Sequence, residues 1–273
     1  MTKDVIKMIY RALVKLVTCF LLMSVVLSFF AGCNLSGDAE SSSASPGDIP
    51  TAGAPKKRVA LTFDDGPHNV RTKAIVDELA KYGYHATFFV VGDRVDGVSY
   101  NGKAGLLYAL EAGNEIGIHG YTHMAYYDTC SDSTYRYELS ETLKAITRIS
   151  HGYKVRLLRP VGGRITDERR AESEYSIIMW SVDSEDWKYK YNDDAPEAEK
   201  REKVNTIVNN VMSSVEDGSI ILMHDIYIST VDAVKLILAR LHAEGYEVVT
   251  VSELIGEGLQ PGTSYSQWGI SGS

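Results

Sequence analysis

Cysteine is scarce in this chain: three occur in 273 residues, and two of them, Cys19 and Cys33, fall near the N-terminus. Cys130 then stands alone, so the region after Cys33 has no pair for an internal disulfide, and a cysteine-ligated zinc site is excluded with it. A lone thiol is more often packed than nucleophilic. Basic charge is short as well. The 28 Lys and Arg against 36 Asp and Glu leave a formal charge of −8, which argues against nucleic acid as the main partner. Heptads, short repeats and long blocks of like charge are all missing. What is there is ordinary globular composition, 44% hydrophobic, ample for one sizeable core.

Charge is also missing from residues 16–32, which hold no Asp, Glu, Lys or Arg and follow the basic start Lys3, Lys7, Arg11 and Lys15. A basic region, an apolar region and the small pair Ala31-Gly32 read as a secretory signal. The segment resembles a bacterial lipoprotein signal, which implies that Cys33 receives a lipid, although Phe30 stands where Leu is usual. An uncleaved anchor is the alternative, because the apolar run is near the lower limit for spanning a bilayer. Either way the expectation is a domain tethered to the extracellular face of the bacterial cell membrane. Residues 1–33 are then the signal, and the Ser-rich 34–56 a flexible linker. The folded domain is expected at 57–257, with 258–273 a loose Gly- and Ser-rich tail.

Within the domain, segments of strand and helix character alternate. Residues 59–63, 87–91, 115–118, 155–158, 177–182, 220–223 and 247–251 read as strands. Residues 72–82, 105–112, 133–150, 167–174, 199–216 and 229–244 read as helices, the third with Leu139, Leu143, Ile146 and Ile149 on one stripe. The alternation predicts an α/β fold with a mostly parallel sheet covered by helices. About seven units favour a single-domain barrel one unit short of eight, with an open doubly wound sheet as the alternative.

The first strand ends in Thr62-Phe63-Asp64-Asp65-Gly66-Pro67. Neighbouring residues leaving a strand point to opposite sides, so two adjacent acids can take different jobs at one site. A polar turn is the plain alternative, since Asp-Gly and Gly-Pro are turn chemistry. Later strands decide between them: His119, Arg159, Asp183 with Asp186-Trp187, and His224-Asp225 all follow strand ends. In parallel α/β folds that rim carries the active site.

His119 and His123 lie four apart, a spacing at which two imidazoles can meet one ion, and Asp65 is the natural third ligand. Two His plus one carboxylate is the donor set of many catalytic zinc sites. Such chemistry needs a base for water and an acid for the leaving group. Asp64 is the candidate base and His224 the candidate acid. Asp186 is placed to hold His224, and Arg159 to orient Asp64. The plain alternative for these last two is a buried pair that only satisfies itself. Aromatics crowd the rim at Tyr121, Tyr126, Tyr127, Trp187, Tyr189 and Tyr191. Only Trp187 and Tyr121 are expected to face a sugar; the rest read as packing.

Thr62-Phe63-Asp64-Asp65-Gly66, His119-x-x-x-His123, Arg159-Pro160, Asp183-x-x-Asp186-Trp187 and Leu222-Met223-His224 resemble, in order, the five motifs of the polysaccharide deacetylases, carbohydrate esterase family 4. The resemblance covers residues 57–257. It implies a distorted (β/α) barrel that removes N- or O-acetyl groups from polymers such as peptidoglycan, chitin or xylan. It implies a divalent metal, commonly zinc, with cobalt or manganese as alternatives. By the same resemblance Asp64 is the base, Asp65, His119 and His123 are ligands, His224 is the acid, and Leu222 and Trp187 line the acetyl pocket. Two departures stand out. Gly120 takes the place of the usual Ser or Thr, which is expected to loosen support of the metal. Arg159 is followed by Pro160-Val161-Gly162-Gly163, so a backbone N–H near Gly162 is expected to help hold the oxyanion, while the missing aromatic is expected to open the groove floor. The leading expectation is removal of N-acetyl groups from peptidoglycan N-acetylglucosamine. The rivals are an O-acetyl esterase acting on xylan or another glycan, and a catalytically silent glycan-binding lipoprotein.

Overall fold

The computed structural model describes residues 57–97 and 99–268. The expected signal, Cys33 and the linker lie outside the described residues. The first strand, β1 (Lys57–Asp64), leads through α1 (Arg71–Ala80), β2 (Thr87–Val90), α2 (Gly92–Asp96) and α3 (Gly102–Glu111) to β3 (Glu115–Ile118). Then come α4 (Asp132–Ile149), β4 (Leu157–Leu158), α5 (Asp167–Ala171), β5 (Ser176–Ile178) and β6 (Val182–Asp183). The chain continues with α6 (Glu197–Met212), β7 (Ile220–His224), α7 (Ile228–Ala243), β8 (Tyr246–Val248), α8 (Val251–Ile255) and β9 (Ser264–Tyr265).

Every named strand pair is parallel, and the hydrogen-bonded path runs β6-β7-β1-β2-β3-β4-β5-β9, with β8 on the start of β1. Strands β5 and β6 stand far apart on that path, yet only residues 179–181 separate them. Four residue steps span at most about 14 Å, so the sheet must curl until its two ends approach. The result is the distorted barrel, and the single strand expected over 177–182 is broken where the chain crosses this seam.

The barrel's two faces follow the two-residue period of a strand. Val59, Leu61 and Phe63 face the helices, with Phe88, Val90, Ile116, Ile118, Ile221 and Met223 in the same apolar cluster. Ala60, Phe89, Leu157, Ile178 and Ile220 form a second cluster inside the barrel. A Cβ at Gly117 would lie 2.5 Å from the Phe89 ring, so glycine there leaves room for that aromatic. Helix α8 closes the bottom of the interior with Val251, Leu254 and Ile255. The tail expected to be loose is built in through residue 268. Strand β9 pairs with β5, Tyr265 joins the inner cluster, and Trp268 N–H donates to Gly218 O at 2.9 Å just before β7. It packs because Tyr265 gives a Gly- and Ser-rich segment an apolar side chain to bury. Among the described residues no helix is long and apolar enough to cross a membrane.

Candidate active site

The inward rows of the strands end on chemistry. Asp64 follows Ala60 and Thr62, His119 follows Gly117, Arg159 follows Leu157, and His224 follows Ile220 and Leu222. Strands β1 and β7 pair with Asp64 directly opposite His224, so the candidate base and acid stand on neighbouring strands. The residues expected at one rim from their positions at strand ends are brought together there.

Asp65 leaves β1 in the left-handed region, φ 72°, and Arg94 donates to its carbonyl oxygen. That turn carries the carboxylate toward His123 Nε2, 2.9 Å from Oδ1, and His119 Nε2, 3.6 Å away. The three ligand atoms all lie within 4.8 Å of one another. His119 Nδ1–H donates to Arg159 O at 2.8 Å, which leaves the Nε2 lone pair facing the carboxylates. Burial holds the His119 pKa below its ordinary value despite Asp64 and Asp65, so the ring is neutral. Burial pushes Asp65 up, but His123, His119 and His224 around it win and hold the carboxylate well below its usual range. Asp65 Oδ1 is buried and accepts no hydrogen bond. Oδ1 and the two Nε2 atoms instead converge on one point, an arrangement that a shared cation would satisfy. The donor set, one carboxylate and two imidazoles, fits zinc and neighbouring divalent ions.

Arg159 is fully buried. It donates to Asp64 Oδ1 at 2.8 Å, Thr62 Oγ1 at 2.7 Å, Ile178 O at 3.0 Å and Met179 O at 2.9 Å. Its guanidinium lies 4.3 Å from the Phe89 ring centroid. Burial holds the Arg159 pKa below its ordinary value despite Asp64, so these partners offset the desolvation cost only in part. The guanidinium also pins one Asp64 oxygen, leaving Oδ2 at 3.6 Å from His119 Nε2.

Asp186 is equally buried. Its Oδ1 accepts from His224 Nδ1 at 2.7 Å, and its Oδ2 from His224 N–H at 2.8 Å and Thr230 Oγ1 at 2.6 Å. Burial lowers the His224 pKa, but Asp186, with Asp65 and Asp64 beyond it, raises it to about 9.

These groups open into a groove of about 430 Å³ lined also by Leu222, Trp187, Gly162, Val161, Trp180, Asp183, Tyr126 and Tyr227. Tyr121 is not among the lining residues, and its expected place in the sugar groove is corrected. The ring lies edge-on to Tyr137 at 5.7 Å and against Gly92, because Gly120, at φ 85°, turns the chain there and both Tyr121 and Thr122 N–H groups bond to Glu138. The groove floor also has an aromatic after all. Tyr126 Cε1 would lie 3.3 Å from a Cβ on Gly162, and Arg164 covers the Tyr126 ring at 4.3 Å. Cys130 is partly buried and receives a weak hydrogen bond from Arg169 at 3.4 Å, as expected of a packed thiol.

Three residues near the site went unassigned in the sequence. Arg94 holds the Asp65 turn. Glu138 holds the loop between the imidazoles. Asp225, buried and raised to about 7 by burial, accepts from Thr72 Oγ1 and fills the space where Gly66 has no Cβ, which would otherwise stand 2.3 Å from its oxygens. Only Asp225 carried a signal, its place directly after His224.

The family model for polysaccharide deacetylase matches residues 51–176. Peptidoglycan-N-acetylmuramic acid deacetylase PdaC of Bacillus subtilis is 40% identical over 199 residues, 73% of this chain and 39% of that protein. The chain therefore spans about two fifths of that relative's length. A peptidoglycan-N-acetylglucosamine deacetylase of Bacillus cereus is 34% identical over 208 residues, covering 73% of this chain and 89% of the relative. The structure of a family 4 acetyl xylan esterase from Clostridium thermocellum in complex with a cobalt ion superposes with a TM-score of 0.67 at 28% identity, covering 78% of this chain and 100% of that one. Together with the five strand-end motifs and the curled parallel sheet, these matches establish that the chain belongs to the polysaccharide deacetylase family.

Proposed function

We propose that this protein is a divalent-metal-dependent hydrolase that removes N-acetyl groups from a polysaccharide, with peptidoglycan N-acetylglucosamine as the leading substrate. The observation that carries the reading is the convergence of Asp65, His119 and His123 beside an Asp64 and a His224 set opposite each other on paired strands. Asp65, His119 and His123 would hold the ion, zinc being the one this donor set fits best. Held there, it supplies Lewis-acid chemistry, polarising a carbonyl and lowering the pKa of water to about 7.

The chain's own groups do the rest. Asp64, fixed by Arg159, accepts the proton of the attacking water. A backbone N–H of the Gly162 turn would help hold the developing oxyanion. Leu222 and Trp187 receive the acetyl methyl. His224, kept protonated by Asp186, donates to the departing amine, so that acetate and a free amino sugar leave. The lipid at Cys33 would keep this site beside the cell wall.

Incubation of the purified protein with peptidoglycan, chitin oligomers and acetylated xylan tests the reading. Acetate release from peptidoglycan, with matching new primary amines, lost on chelation and restored by Zn²⁺, is expected. Acetate from none of the three would overturn it. The likeness to the acetyl xylan esterase favours one second reading, O-deacetylation, and acetate from xylan alone would select it.

A further inference from the structure

The segment between the two candidate imidazole ligands is held from a distance. Its carbonyls are taken by α2: Gly92 N–H donates to Gly120 O at 2.9 Å and Asp93 N–H to Tyr121 O at 3.0 Å. Its amides go to one side chain from α4. Glu138, only 2% exposed, accepts through Oε2 from Tyr121 N–H at 2.6 Å and Thr122 N–H at 2.9 Å. Its Oε1 accepts from Thr122 Oγ1 at 2.6 Å. Charge-assisted bonds to a buried carboxylate are the strong kind, and a carboxylate without them would be costly to bury.

The backbone here needs holding. Gly120 and His123 both lie in the left-handed region, at φ 85° and 61°, and a histidine stays there only where its surroundings over-determine it. Space points the same way. A Cβ on Gly120 would lie 2.9 Å from Tyr127 Oη and 3.0 Å from Glu138 Oε2, so Glu138 occupies room that a Ser or Thr at position 120 would need. The support that Gly120 cannot give with a side chain comes from α4.

We propose that Glu138 is the positioning residue of the metal centre. Its carboxylate fixes the Gly120–Thr122 backbone so that His119 and His123 present both Nε2 atoms to Asp65 before any ion arrives. The inference rests on the reading that these three residues hold a divalent metal. Outer groups that orient ligands are typically worth 10- to 100-fold in metal affinity.

The test measures Zn²⁺ dissociation constants of the full chain by competition with a chromophoric chelator, alongside thermal unfolding without metal. Glu138→Ala should weaken zinc by about 10- to 100-fold. Glu138→Gln, which keeps an acceptor but drops the charge, should fall between Ala and the unmodified protein. Thr122→Val, which removes one of the three bonds, should weaken zinc by a smaller factor. Glu141→Ala, on an outer position of α4 paired with Lys144, should change nothing. A folded Glu138→Ala with unaltered zinc affinity overturns the proposal, even if its metal-free melting point drops, because that pattern marks a purely structural carboxylate. If Glu138→Ala does not fold, Glu138→Gln and Thr122→Val decide, and unaltered affinity in both overturns it. No zinc binding by the unmodified protein would overturn the metal reading itself, and this inference with it.

Discussion

The two ends of the barrel interior are built from the same inward rows of the same strands, yet they differ in kind. At the bottom, Ala60, Phe89 and Ile220 meet Val251, Leu254 and Ile255 of α8, and the space is closed by apolar packing. At the top, Asp64, His119 and His224 meet around a groove, where the His119 pKa is driven below its ordinary value and the His224 pKa above it. Arg159 is the boundary, with Phe89 at 4.3 Å and Asp64 at 2.8 Å. The difference teaches that the bottom supplies rigidity so that the top can hold charged and orphaned groups that would not pack by themselves.

That division can be broken from either side. The largest effect should come from Asp64→Asn, which removes a base and no ligand. Turnover should fall about 10²- to 10⁴-fold with zinc content kept, as acetate assays and metal analysis would read; near-full activity would refute the base assignment. Next is Leu254→Ala at the bottom. Burial loss plus a cavity should cost about 2–5 kcal/mol of unfolding free energy, measured by denaturant titration, while zinc affinity stays put. A large affinity change would mean that the two ends are not separable.

Asp186→Asn sharpens the top. His224 is held at about 9 against an ordinary 6.5, so activity that needs its proton persists until pH passes that value. Without the carboxylate the alkaline limb of kcat/KM should move down toward the ordinary value, and an unmoved limb would sink the pairing. The sign for stability follows from linkage. The raised pKa means that the pair's contribution is full below 6.5 and lost as pH climbs through about 9, so the variant's deficit should shrink in alkali. The smallest effect belongs to Thr250→Ala, which removes the capping box of α8 at a cost of about 1 kcal/mol, with turnover untouched.

Much of this was legible because it is local. The strand-end positions of Asp64, His119, Arg159 and His224 follow from apolar runs and a period of two. The convergence of Asp65, His119 and His123 was drawn from residue type and spacing, and the structure places them so. What could not be read depends on distant partners. In α4 the buried face holds Glu138, Thr142, Ala145, Ile146 and Ile149, with Leu139 and Leu143 turned to its flank, because loop amides 16 and 17 residues away make a carboxylate the better inward residue. Tyr126 looked like packing and faces the groove, since only the fold brings it against Gly162. Helix α8 was missed although Thr250-x-x-Glu253 spells its start. Five residues are too few for a helical stripe to show.

The C-terminal segment has a practical consequence. Beginning against β5 and ending against Gly218, it ties together both margins of the curled sheet. A fragment cut at residue 257 would strip the outer edge of β5 and unseat Tyr265 from the barrel floor. It would leave an unpaired strand of the sort that recruits other chains. Recombinant versions of the domain should therefore run through Trp268.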